Sequence, residues 1–116
     1  MREAQALGRR RIVITAATPP TLRDCAAVGE VADARREVTA TQAQRTALTL
    51  DYNDRLESLA ARLGVDWADA TSDLLDPATG LVAERFRNAD PADHHLDIPA
   101  AAEVWARRLA PAIARH

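Results

Sequence analysis

The residues best suited to chemistry are an aspartate followed by two histidines, Asp93-His94-His95. A histidine accepts a proton through Nε2 when an acceptor such as a carboxylate holds its Nδ1–H. In an extended segment, residues two apart point the same way, which places Asp93 beside His95 and turns His94 to the opposite side. We therefore expect His95 to be a general base that Asp93 orients. His94 is the alternative base, and Asp90 is the alternative orienting acid if the loop turns.

The same segment allows two other interpretations. The polar run 88–97 can be a solvated connection without chemistry. Either histidine, with an aspartate of the same loop (Asp90, Asp93 or Asp97), can instead ligate a metal ion. Catalytic zinc usually takes its ligands from separate elements, and no third ligand is evident elsewhere in the chain. We therefore expect no metal ion and no other cofactor.

A nucleophile to accompany the histidine is not identifiable. The only serines are Ser58 and Ser72, and the simpler role of Ser72, next to Asp73, is a helix cap or turn. Cys25 is the only cysteine, so the chain can form no internal disulfide and no thiolate metal cluster. We expect Cys25 to be a buried, small apolar side chain.

Composition narrows the possible partners. The 116 residues make one domain, and the formal net charge of −2 gives no support for nucleic-acid binding. The short run Arg9-Arg10-Arg11 is interpreted as a solvated helix end. No apolar run approaches the roughly 18 residues of a membrane span. Residues 1–11 lack the apolar core of a signal peptide, so we expect a cytoplasmic chain.

The elements that must position the polar loop follow from hydropathy and breaker residues. Residues 2–7 are helix formers, with Gly8 as a natural cap. Residues 11–16 are apolar on both faces, which predicts a parallel strand buried on both sides, ending at Thr18-Pro19-Pro20. Residues 41–63 predict a long helix whose core-facing apolar stripe is Leu48, Tyr52, Leu56, Leu59, Ala60 and Leu63.

The second half of the chain predicts a strand, a loop and a closing helix. Residues 65–68 form a short strand with Asp69 at its exit. Residues 81–86 suit either a helix or an extended segment. A helix over 99–114 follows the polar loop, capped by Asp97 or Ile98 and kinked in its last turn by Pro111. Alternation of strands and helices favours an α/β layer with parallel strands, although two short strands are few for a sheet.

The C-terminal block resembles a known family. The run Asp93-His94-His95-Leu96-Asp97, then Pro99 and a helix with Val104-Trp105 and Leu109-Ala110-Pro111, is similar to the end of SGNH (GDSL-type) hydrolases. Members of that family place an Asp-x-x-His or Asp-x-His motif before their last helix. Only the second form fits here, through Asp93 and His95, because Ala92 stands where the first form needs an acid.

The resemblance extends upstream. The strand at 12–15 with Thr18-Pro19-Pro20 resembles the family's strand and Thr-Pro-Pro turn. Tyr52-Asn53, followed by Leu56, Leu59, Ala60 and Gly64-Val65, resembles its Tyr-Asn-x-x-Leu helix and the short strand that Asp69 closes. The Gly-Asp-Ser nucleophile block, the oxyanion-hole glycine block and the Gly-x-Asn-Asp block are absent.

The resemblance implies that residues 1–116 are the C-terminal portion of a flavodoxin-like, three-layer SGNH hydrolase domain, with a short parallel sheet flanked by helices. The implied activity is that of an esterase or lipase-like enzyme on a small-molecule or glycan ester, inactive alone because the nucleophile is missing. Self-association or pairing with an N-terminal half is implied as well. The alternative is a non-catalytic α/β interaction module that completes its sheet with a partner chain.

Overall fold

The computed structural model describes residues 11–24 and 40–114. The predictions for the helix at 2–7 and for Cys25 lie outside these residues. In chain order the elements are β1 (Val13–Thr15), α1 (Gln42–Leu63), β2 (Asp66–Ala68), α2 (Thr71–Leu74), a 3₁₀ turn (Glu84–Phe86) and α3 (Ile98–Ala114). Segment 81–86 begins extended and ends helical: Val82 forms an antiparallel bridge with Leu75, and the 3₁₀ turn follows at Glu84–Phe86.

The two strands pair in parallel, with Ile14 opposite Trp67, so the predicted parallel α/β arrangement is confirmed. The predicted burial on both sides of β1 is wrong, since Ile14 and Ala16 are buried while Thr15 between them is exposed. Adjacent residues of a strand point to opposite faces, so the face that carries Thr15 is covered less than the face of Ile14 and Ala16.

Just before β1, Arg11 forms an ion pair with Asp66 at the start of β2, with a nitrogen–oxygen distance of 2.8 Å. The Arg11 side chain is only 18% exposed. The interpretation of this arginine as part of a solvated helix end is therefore wrong, because its guanidinium ties the two strands together instead.

Helix α1 begins and ends as the sequence predicts. Thr41 caps it by accepting the Gln44 N–H, and the Gln44 side chain accepts the Thr41 N–H in return. Gly64 ends it in the left-handed region, at φ 67°. The predicted core-facing stripe is wrong in part. Leu48 and Tyr52 are 69% and 55% exposed, while the most buried residues of the helix are Gln42, Thr46, Asn53 and Ala60.

The main apolar core lies between α2, the 3₁₀ turn and α3. Its fully or largely buried members are Ala70, Leu74, Val82, Ala83, Phe86, Leu96, Ala101 and Val104. Asp97 caps α3, as predicted, by accepting the Ala100 N–H at 3.1 Å, and the helix runs through Pro111 to Ala114. No helix in residues 11–24 and 40–114 has the length and hydropathy to cross a bilayer.

Candidate active site

The Asp93–Asp97 segment is docked onto the 3₁₀ turn by backbone hydrogen bonds. Asp97 donates its N–H to the Phe86 carbonyl at 2.9 Å, and Leu96 forms an antiparallel bridge with Arg87. The Leu96 side chain is buried in the core. The polar residues just before Leu96 therefore sit on a backbone anchored at one end.

A second anchor comes from the loop that leaves the carboxyl end of β1. Thr21, which is buried, donates its hydroxyl proton to the His94 carbonyl at 2.8 Å. The Arg87 guanidinium in turn donates to the Thr21 carbonyl. Desolvation by burial lowers the pKa of Arg87. His94 is thus held against the loop that follows β1, and open α/β sheets bind their ligands beyond the carboxyl ends of their strands.

Helix α1 braces this loop with polar side chains. The Asn53 amide brackets Ala17, accepting its N–H at 2.8 Å and donating to its carbonyl at 3.0 Å. The Gln42 amide donates to the Pro20 carbonyl at 2.9 Å. These bonds explain why Asn53 and Gln42 are buried, because both satisfy main-chain groups of an adjacent irregular loop.

The predicted partner of His95 is in place. His95 Nδ1 lies 2.8 Å from Asp93 Oδ1, and the same oxygen accepts the His95 backbone N–H at 2.9 Å. These hydrogen bonds, first the backbone one and then the side-chain one, lower the pKa of Asp93, and the charges of both histidines add to the effect. Asp93 therefore remains an ionised acceptor. A catalytic role for the pair stays a prediction.

The expected placement of His94 is wrong. Its ring lies beside the His95 ring, with centroids 3.9 Å apart and planes tilted by 40°. Side chains alternate between two faces only where the backbone is extended, and here the backbone bends at His95. The bond from the His95 N–H back to the Asp93 carboxylate makes that bend, a local turn that aspartate favours.

Asp90 builds the loop and makes no hydrogen bond to either imidazole. Its Oδ1 accepts the Ala92 N–H at 3.0 Å, and its carbonyl accepts the Asp93 N–H at 3.0 Å. Its own N–H is donated to Asn88 Oδ1 at 2.9 Å. Asp90 thus shapes the turn that presents Asp93, and its role as alternative orienting acid stays a prediction.

A shallow concavity of about 340 Å³ opens beside Asp93. Its wall combines charged and polar side chains with apolar ones, and it includes Arg23, Glu84, Arg87, Asp93 and Pro91 but neither histidine. Arg23 is paired with Glu84, and this hydrogen bond is the main cause of the lowered pKa of Glu84. The opening is large enough for part of a small polar substrate.

A cation could also be held here. Asp93, His94 and His95 each offer one ligand atom, and these atoms lie within 4.8 Å of one another. Within residues 11–24 and 40–114, these three residues form the group whose potential ligand atoms lie close enough to share one ion. Neither Asp90 nor Asp97 belongs to this group.

The serines do not complete the site. Ser58 donates its hydroxyl proton to the Asp54 carbonyl within α1. Ser72 is exposed in the first turn of α2, and it is not a cap, because Asp69 accepts the Thr71 N–H there. Within the described part of the chain, neither hydroxyl is hydrogen-bonded to His95.

Residue pattern alone did not identify the residues that position the pair. Thr21 directly follows the Pro-Pro turn, yet nothing in its type indicated a bond to His94. Nothing in the sequence around Arg87 indicated that it would position the loop, whereas Asn53 was named as part of the family resemblance. A comparison with family models found no match, and neither did comparisons with the curated proteins or with the solved structures.

Proposed function

We propose that this chain supplies the acid–base part of an SGNH-type acyl hydrolase acting on an ester, with the nucleophilic serine provided from outside these 116 residues. The observation that carries the proposal is the 2.8 Å contact between Asp93 Oδ1 and His95 Nδ1. The His95 side chain is 67% exposed, so a second group has access to its ring.

The chemistry follows from the direction of that bond. With its Nδ1 proton held by an ionised Asp93, neutral His95 has its lone pair at Nε2. Nε2 takes the serine proton as the serine oxygen bonds to the ester carbonyl carbon. It then returns the proton to the leaving alkoxide as the carbon–oxygen bond breaks, and a water repeats the sequence on the acyl-enzyme.

The location of the pair supports the same proposal. Thr21 ties His94 to the loop at the carboxyl end of β1, the edge at which parallel α/β sheets bind ligands. The 340 Å³ concavity beside Asp93 offers space for a small polar ester. A small-molecule or glycan ester suits its limited volume better than a long acyl chain.

The test uses a fluorophosphonate probe and a short-chain nitrophenyl ester. We expect the chain alone to show no serine labelling and no ester turnover above a His95→Ala control. Co-expression with the polypeptide encoded directly upstream should restore labelling of a serine in that segment. Asp93→Asn should lower turnover in the restored complex, and Asp90→Asn, the matched change in the same loop, should not.

Two results would overturn the proposal. One is labelling of Ser58 or Ser72 in the isolated chain together with His95-dependent turnover, which would place a complete site within it. The other is the absence of any Gly-Asp-Ser segment in the upstream reading frame, or its failure to restore labelling.

A second candidate function is a non-catalytic interaction module. The exposed apolar side chains favour it, since Leu48 and Tyr52 on α1, and Ile98 and Ile113 on α3, are more than half exposed. Partner binding that survives His95→Ala but is lost on Leu48→Glu would favour this function over hydrolysis. Equal loss in both variants would argue against it.

A further inference from the structure

Two imidazole rings and one carboxylate meet in three consecutive residues. The His94 and His95 ring centroids are 3.9 Å apart, and Asp93 is hydrogen-bonded to His95. Two imidazoles and a carboxylate make a donor set that Zn²⁺ and similar transition-metal ions accept. We propose that Asp93, His94 and His95 bind a Zn²⁺-type divalent ion.

The distances allow such a site after a small adjustment. The three donor atoms lie within 4.8 Å of one another. Ligands of tetrahedral zinc, each about 2.0–2.2 Å from the metal, are about 3.3 Å apart. The donors must therefore close by at most about 1.5 Å, and rotation of the His95 side chain, which is 67% exposed, can supply this movement.

The backbone is already in place for binding. Thr21 holds the His94 carbonyl, and the Asp93 carboxylate holds the His95 N–H. Fewer degrees of freedom are lost on binding than in an unstructured Asp-His-His segment. From the sequence, a third ligand was expected to come from elsewhere in the chain. The bend at His95 instead brings the Asp93 carboxylate within 4.8 Å of a nitrogen of each ring, so Asp93 is the third ligand.

Three protein ligands leave the remaining coordination positions to water, the pattern of an open zinc site. Mg²⁺ prefers oxygen ligands and gives up its water reluctantly, so we expect the cluster to discriminate against it. This inference does not rest on the proposed hydrolase function. The two uses of His95 are mutually exclusive at any moment, so bound Zn²⁺ would withhold the base.

The test is calorimetric titration of the metal-free, untagged chain with ZnCl₂ and separately with MgCl₂. We expect saturable binding of one Zn²⁺ per chain and no measurable Mg²⁺ binding. His94→Ala and His95→Ala should each weaken Zn²⁺ binding by at least about tenfold, which is 1.4 kcal/mol. His116→Ala changes the only other histidine and should leave binding unaltered.

Imidazole ¹⁵N shifts of His94 and His95 should move on addition of Zn²⁺ and return on addition of a chelator, which reports the ligands independently of affinity. Circular dichroism checks that each variant is folded. Absence of saturable Zn²⁺ binding, or equal binding in the His94→Ala and His116→Ala variants, would overturn the proposal. Because no readout is enzymatic, this failure is distinguishable from failure of the hydrolase proposal.

Discussion

One carboxylate oxygen, Oδ1 of Asp93, accepts both the backbone and the ring N–H of His95. The first bond fixes the bend, and the second favours the neutral tautomer that carries its proton on Nδ1. The hydrogen bonding between Asp93 and His95 is thus set within a three-residue turn. The helices and strands only have to hold that turn in place.

The tautomer is measurable. In its neutral form we expect His95 to carry its proton mainly on Nδ1, because the Asp93 carboxylate accepts it there. Asp93→Ala removes the acceptor and should raise the Nε2–H fraction, as seen in two-bond ¹H–¹⁵N correlation spectra. Asp54→Ala, an exposed change on α1, is the control and should leave the His95 pattern unchanged. An unaltered tautomer in Asp93→Ala would contradict the assignment of Asp93 as the orienting acid.

Asn53 is the second residue whose role is specific. It is 3% exposed and makes two hydrogen bonds to Ala17. Asn53→Ala leaves a partly buried N–H and carbonyl without these partners, so we expect the free energy of unfolding to fall by about 2 kcal/mol in urea denaturation. Asp54→Ala, an exposed neighbour, should change it by less than about 0.5 kcal/mol. An equal loss of unfolding free energy in the two variants would show that the hydrogen bonds of Asn53 to Ala17 do not stabilise the fold.

At the scale of elements, prediction from sequence succeeded where a local signal exists. The predicted bounds of 41–63 match α1, which Thr41 and Gln44 cap at its start and Gly64 at its end. The core-facing side of that helix was not predictable from hydropathy. Its neighbour is an irregular loop with free main-chain groups, so Asn53 is buried and Tyr52 beside it is exposed. The periodicity of apolar residues predicts that a helix forms, but which face of the helix is buried depends on the elements that pack against it.

Gly64 joins α1 to β2, and its conformation sets the direction of that strand. Its φ is 67°, and a Cβ added there would meet nothing within 4 Å. Gly64→Ala therefore introduces backbone strain without a clash, and we expect it to lower the free energy of unfolding by about 1 kcal/mol. Gly64→Asn should lose less, because asparagine tolerates this region. Thermal unfolding of both variants measures the difference, and a larger loss for Asn would contradict the explanation.

The Asp73–Arg108 ion pair connects α2 to α3 at 2.6 Å. Its hydrogen bond is the main cause of the lowered pKa of Asp73, whose ordinary value is 3.8. A carboxyl with a lowered folded-state pKa contributes stability above its unfolded pKa and loses it as pH falls through the folded value. The contribution is small, because both side chains are more than a third exposed.

Asp73→Asn tests this linkage. We expect the wild-type chain to have the higher melting temperature at neutral pH and low salt. The difference should shrink in high salt and should vanish in acid once Asp73 is protonated. Asp76→Asn, in the adjacent turn, serves as the control for removal of one negative charge. A difference that persists unchanged in acid would show that the carboxylate charge is not its cause.

For the whole molecule, the parallel pairing of the two predicted strands followed from the strand–helix alternation, but the short helix α2 that follows β2 was not predicted. The described sheet has two strands, and Thr15 at the end of β1 is exposed. Leu48 and Tyr52 add an exposed apolar stripe on α1. Contiguous exposed apolar surface of this kind favours association with another chain or another copy.

We therefore expect the isolated chain, of 12.6 kDa, to associate as its concentration rises. Leu48→Glu with Tyr52→Glu should reduce this association, because both side chains leave the apolar stripe. The melting temperature should change little, since neither side chain is buried. Ala43→Glu with Ala47→Glu adds the same charge at exposed positions of the same helix and serves as the matched control.

Sedimentation equilibrium over a range of concentrations measures the effect. If both double variants dissociate equally, charge repulsion explains the result and the stripe does not mediate association; a wild-type chain that stays monomeric throughout would contradict the prediction.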